Sequence, residues 1–96
     1  MNKQEIILKL QNNLPFLKQN YHVARLGIFG SVARDEQTEK SDVDMLVEFN
    51  SPVGFFDFIR LENFLSEILK QKVDLVTKNA LKPIIKDEIL KETLYV

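Results

Sequence analysis

Cysteine is absent from the 96 residues. That excludes disulfides and thiolate metal sites, and it fits a reducing cytoplasm, the compartment expected here. No apolar run approaches the roughly 20 residues that a membrane-spanning helix needs, and the opening Met1-Asn-Lys-Gln-Glu5 lacks the apolar core of a signal peptide. A membrane partner is therefore not expected. An excess of one charge is also missing: 13 Lys and Arg face 14 Asp and Glu, a net charge of −1. No global field draws in a polynucleotide, whose phosphates need clustered Lys and Arg, so direct nucleic-acid binding is disfavoured. Internal repeats and low-complexity segments are lacking too. What remains is a globular composition, 45% apolar and 28% charged with the two signs interspersed. The length suits one domain over residues 1–96 and leaves no room for two.

Apolar periodicity outlines the elements. Ile6, Ile7, Leu10 and Leu14 form a helical stripe over 3–14, which Pro15 is expected to end or kink. Residues 25–29 read as a strand stopped by Gly30, followed by a helical turn from Val32 to Asp35. Residues 43–49 read as a second strand, and Asn50 to Gly54 is a turn cluster. The strongest helix covers 55–70, with Phe55, Phe58, Leu61, Leu65, Ile68 and Leu69 as its buried stripe. Residues 72–76 read as a third strand. Asn79 to Glu92 is a last helix, with Pro83 near its start where proline is tolerated. Three strands with flanking helices predict a two-layer α/β (α+β) domain with a small mixed sheet.

Three elements carry candidate chemistry. Gly30 and Ser31 follow a strand and open a helical turn. Glycine lets backbone approach a phosphate, and N–H groups at a helix start point at anions. Alone, Gly-Ser is ordinary turn chemistry. Asp42 and Asp44 stand at i and i+2, hence on one face of a strand. Two adjacent carboxylates repel unless a cation sits between them, and Mg²⁺ prefers carboxylate and phosphate oxygens. A lone D-x-D more often marks a solvated strand entrance. An EF-hand loop starting at Asp42 is excluded, because Val47 and Val53 stand where Gly and Glu are required. Asp74 interrupts the apolar run Val73 to Val76. It either faces water from an edge strand or, if strands 43–49 and 72–76 are neighbours, joins Asp42 and Asp44 on one face. Three acids so arranged suit a two-metal mechanism, with one carboxylate accepting the proton of an attacking hydroxyl.

Gly30-Ser31, ten intervening residues and Asp42-Val43-Asp44 together resemble the G-S-x₁₀-D-x-D signature of the polymerase-β-like nucleotidyltransferase fold. Phe29-Gly-Ser-Val-Ala-Arg34, Ser41 to Val47, residues 56–62, Lys72 to Val76 and the closing Leu81-Lys-Pro-Ile-Ile and Leu94-Tyr-Val extend the likeness over nearly the whole chain. It is closest to the minimal nucleotidyltransferases (MNT), the antitoxin partners of HEPN-domain toxins in type VII pairs. The resemblance implies a Mg²⁺-dependent enzyme, with two ions, that moves AMP from ATP to a hydroxyl, for example a tyrosine of the toxin. Gly30 and Ser31 would bind phosphates, and Asp42, Asp44 and Asp74 would be the catalytic and metal-binding acids. Arg34 would steady phosphate charge, with Asp35 and Glu36 as competing partners. Two other readings stay open: an antitoxin that acts by occlusion alone, and a small-molecule nucleotidyltransferase. The latter usually carries an acceptor domain, for which 96 residues leave no space.

Other residues read more plainly. The one histidine, His22, is expected at the surface. Phe55, Phe56 and Phe58 read as core, although three within four residues cannot share one stripe, so at least one is free for a partner groove. Lys70, Lys72, Lys78, Lys82 and Lys86 make the last third locally basic, as a solvated face or an attraction for ATP or an acidic partner. Tyr21 and Tyr95 read as amphipathic packing residues.

Overall fold

The computed structural model describes residues 1–96. Helix α1 runs Lys3–Asn20, strand β1 Val23–Phe29, the short helix α2 Gly30–Ala33 and strand β2 Val43–Phe49. Helix α3 (Phe55–Leu69), strand β3 (Val73–Thr77), a 3₁₀ turn (Lys78–Ala80), helix α4 (Pro83–Glu92) and strand β4 (Leu94–Tyr95) complete the chain. The strands form one mixed sheet in the order β3-β2-β1-β4. The β1–β2 and β1–β4 pairs are antiparallel, and β2–β3 is parallel with α3 as the connection. This is the expected mixed α/β architecture with one strand more than foreseen. β4 has only two residues, both exposed, so it carries no periodicity to read.

Alternation sorts the sheet into two faces. Val43, Met45 and Val47 of β2, Leu26 and Ile28 of β1, and Val73 and Leu75 of β3 meet α1 and α3. From the helices come Ile6, Leu10 and Leu17, and Leu61, Leu65 and Leu69, all essentially inaccessible to solvent. Burial of a side chain of this size contributes roughly 1.5–3 kcal/mol, so this layer holds the fold together. The opposite face carries Asp44, Leu46 and Glu48 from β2. Leu46 is fully buried but stands apart from the main core; its register partners are Gly27 and Val76.

Pro15 does not end α1 as expected. The Asn2 side chain caps its start by accepting the Glu5 N–H at 2.9 Å. The buried stripe then continues past the proline to Leu17. Pro15 and Gln11, whose carbonyl loses its partner, both lie on the exposed side, where water substitutes. The last helix also begins later than expected. A 3₁₀ turn occupies Lys78–Ala80, and Pro83 takes the first position of α4, where its missing N–H costs nothing.

Phe55 is not part of the α3 stripe: it is 72% exposed, and Phe56 is 80% exposed, with their rings 5.8 Å apart. Phe58 already packs edge-on against Phe49, the last residue of β2. Phe55 therefore sits one turn beyond the end of the strand, with nothing beneath it. Phe58, Leu61, Leu65, Ile68 and Leu69 keep their expected inward positions.

The free edge of β3 is closed by α3. Ser66 Oγ accepts the Val73 N–H at 3.0 Å, and Glu62 Oε2 accepts the Leu75 N–H at 2.9 Å. Both N–H groups would otherwise form a template for another strand. No helix is long and apolar enough to cross a membrane.

Candidate active site

The site is built where β1 ends. Phe29 is extended, and Gly30 then turns with φ of +71°, a left-handed value that L side chains rarely adopt. A second constraint acts at the same residue. A Cβ on Gly30 would collide with the Asp44 carboxylate. Glycine is thus required both by the backbone turn and by the approach of an acid from the neighbouring strand. Gly30 opens α2, whose first residues present backbone N–H groups, and Ser31 is half-buried beside it.

The β2–β3 register places Asp44 directly opposite Asp74. On its other side Asp44 faces Phe29. The condition on which Asp74 depended, adjacency of its strand to 43–49, is met. Asp42 lies two residues before Asp44 and is exposed; its nearest cation is Lys72 Nζ at 3.9 Å. Burial raises the Asp44 pKa above its ordinary value, and the charges of Asp74 and Asp42 add to the rise; Arg34 opposes it. Removing a carboxylate from water and surrounding it with like charge both favour the protonated form. The geometry therefore sets Asp74 beside Asp44, whose carboxyl resists ionisation, with Asp42 exposed two residues before it.

These donors suit a hard divalent cation. No three His, Asp or Glu side chains converge closely enough to form a complete cage by themselves. Mg²⁺ commonly takes one or two carboxylates and completes its shell with water and substrate phosphates. The surface cavities lie elsewhere. One, lined by Val47, Phe49, Pro52, Val53, Thr77 and Lys78, is at the far end of β2 from the acids. The acids occupy an open rim of the sheet.

Of the two acidic partners expected for Arg34, the structure pairs it with Glu36 and not with Asp35. Asp35 pairs instead with Lys3 at 2.9 Å. Glu36 accepts from Arg34 Nε at 3.3 Å, but the closer partner is Glu92, 58 residues away, at 2.9 Å. Hydrogen bonds to Glu92 first and Glu36 second raise the Arg34 pKa above its ordinary value. Glu92 Oε1 also accepts the Gly30 backbone N–H at 2.9 Å. Glu92 was not foreseen. It stands at the end of α4 with no local motif around it, and only folding brings it to Gly30.

Residues 10–96 match the family model described as nucleotidyltransferase domain. The chain belongs to the nucleotidyltransferase family. A Thermococcus cleftensis relative named protein adenylyltransferase MntA is 42% identical over 80 residues, covering 83% of this chain and 81% of its own. A solved structure assigned as a minimal nucleotidyltransferase superposes with a TM-score of 0.85 at 31% identity, covering 98% of this chain and 95% of that one. A more remote structure, an MNT antitoxin in complex with the tri-AMPylated HEPN toxin of Shewanella oneidensis, shares the fold alone. Its TM-score is 0.60 at 20% identity, over 98% of this chain and 67% of that one. In this nucleotidyltransferase the Gly-Ser turn follows the end of β1, and Asp44 and Asp74 lie on the adjacent strands β2 and β3 of the same sheet.

The remaining sequence expectations fall outside the site. His22 is exposed, with a positive φ of 57°. Tyr21 packs with Phe16 and Phe64, and Tyr95 lies under Arg25 at 3.7 Å. Lys70, Lys72, Lys78 and Lys82 are solvated.

Proposed function

We propose that residues 1–96 act as one Mg²⁺-dependent nucleotidyltransferase domain that moves AMP from ATP to a hydroxyl of another protein. The observation that carries this reading is the register of Asp44 with Asp74, beside a glycine turn that tolerates no side chain. Asp42, Asp44 and Asp74 would hold the metal, in two ions. Bound Mg²⁺ supplies charge neutralisation at the phosphates and lowers the pKa of the attacking hydroxyl. Gly30 and Ser31 bind phosphate oxygens through the backbone N–H and the hydroxyl. Arg34 offers its guanidinium to the same charge. Asp74 is exposed and accepts the proton of the attacking hydroxyl. The acceptor oxygen bonds to the α-phosphorus, the α–β anhydride bond breaks, and pyrophosphate leaves.

A tyrosine of a HEPN-domain toxin is the acceptor we favour, and the protein would then be an antitoxin working in the cytoplasm. The relative's name, protein adenylyltransferase, and the AMPylated toxin in the remote complex support that choice.

The test is transfer of label from α-labelled ATP to a co-purified HEPN partner with Mg²⁺. Wild type should label the partner on tyrosine; Asp42→Asn and Asp44→Asn should not, while keeping the fold. No labelling by wild type overturns the catalytic reading. Full neutralisation of the toxin by both variants would show that occlusion suffices.

A further inference from the structure

Gly30 has one backbone N–H, and Glu92 already uses it. The same carboxylate holds Arg34 through both oxygens, at 2.9 and 3.2 Å from Nη1. A backbone N–H at a glycine turn and a guanidinium are the donors that a phosphate oxygen would take. We propose that the Glu92 carboxylate competes with the nucleotide phosphates for the Gly30 N–H and the Arg34 guanidinium, so that nucleotide binding requires its displacement. This inference rests on the nucleotide site proposed above.

Displacement is local. Glu92 ends α4, a helix with no fully buried residue. The next residue, Thr93, is buried where a Cβ on Gly27 would strike it, and its hydroxyl donates to the Ile89 carbonyl at 2.6 Å. Thr93 and the pairing of β4 with β1 thus hold the backbone just after Glu92, while the Glu92 side chain remains 28% exposed. Rotation about its side-chain bonds frees both donors without moving α4. A carboxylate that stayed would also oppose the triphosphate as a like charge. The contrasting role is a fixed buttress that keeps the Gly30 turn in place, and the two differ in sign. A competitor weakens phosphate binding; a buttress strengthens it.

Titration calorimetry of wild type, Glu92→Gln and Glu92→Ala separates them, with Mg-ATP and with inorganic tripolyphosphate as probes. If Glu92 leaves the donors free about a tenth of the time, Glu92→Ala should bind both probes about tenfold more tightly. Glu92→Gln, which keeps an oxygen for Gly30 but loses the charge on Arg34, should gain less. Equal or weaker binding by folded variants overturns competition and leaves the nucleotide site standing. No binding by any of the three proteins removes the nucleotide site and the competition with it. Should the variants not fold, the wild type answers alone. Its Glu92 carboxyl carbon resonance should move when tripolyphosphate is added, and a resonance that stays fixed while the probe binds overturns the proposal.

Discussion

Asp44 and Asp74 are register partners across the parallel strands β2 and β3. Burial, then the charges of Asp74 and Asp42, raise the Asp44 pKa above the ordinary 3.8. The unfolded chain therefore releases this proton at lower pH than the folded one. Between the two values the folded state binds more protons, so stability falls as pH rises through that window. Asp44→Asn removes the titration. It should raise the unfolding midpoint at about pH 7, with the gain shrinking toward about pH 4. Each 1 kcal/mol corresponds to roughly 4–8 °C in a domain of this size. A midpoint that falls at neutral pH would show that the site is not strained by its charges. Added Mg²⁺ should stabilise wild type more than Asp44→Asn.

Gly30→Ala combines a positive φ with a collision against the Asp44 carboxylate. The backbone strain alone costs of order 1–3 kcal/mol. Chemical denaturation should show at least that loss, and nucleotide binding should weaken as the turn and the acid move apart. A neutral effect on both would refute the double constraint.

Pro15→Ala should stabilise. It restores an N–H for the Gln11 carbonyl inside a helix that already continues to Asn20. Proline in a helix interior is about 3 kcal/mol worse than alanine, and part of that should appear as a higher midpoint in a thermal melt. An unchanged or lower midpoint would mean that the proline is not opposing this helix.

Glu62→Ala leaves the Leu75 N–H without its acceptor on the free edge of β3. The loss should be about 1–3 kcal/mol. The opened edge should also raise self-association, read by light scattering. Since Leu75 follows Asp74, transfer activity should fall with it.

Asp74→Asn should lower labelling of the partner by about a hundredfold or more, the usual range for removing a general base. If the nucleotide is held mainly by Gly30, Ser31, Asp42 and Asp44, its dissociation constant should change far less. Equal losses in both would place Asp74 in binding alone.

The local rules were legible. Residues 43–49 read as a strand, and β2 has those bounds, with Met45, Leu46 and Val47 buried in succession. The α3 stripe from Phe58 to Leu69 was read from its helical spacing, because burial follows periodicity once a helix lies flat on a sheet. Phe55 failed that reading, since periodicity says which side a residue faces and not where the partner layer ends. Pro15 failed because propensity is local, while Leu10 and Leu17 secure the helix on both sides of it.

The sequence by itself determined the Gly30-Ser31 turn and the family to which it belongs, and it set Asp42 two residues before Asp44; the structure starts β2 at Val43, so Asp42 precedes the strand on which both were expected to share a face. The sequence left open whether Asp74 meets Asp44, because that depends on how far α3 carries the chain before β3 pairs. Parallel register is set by the packing of the crossover helix against the sheet, through Leu61, Leu65 and Leu69. It could not show Glu92 at all. The return of the chain along α4 to β4, with Thr93 against Gly27, brings that carboxylate 62 residues back to the Gly30 N–H. Charges and hydrogen bonds act through space, so only the tertiary fold decided which anion stands at the turn.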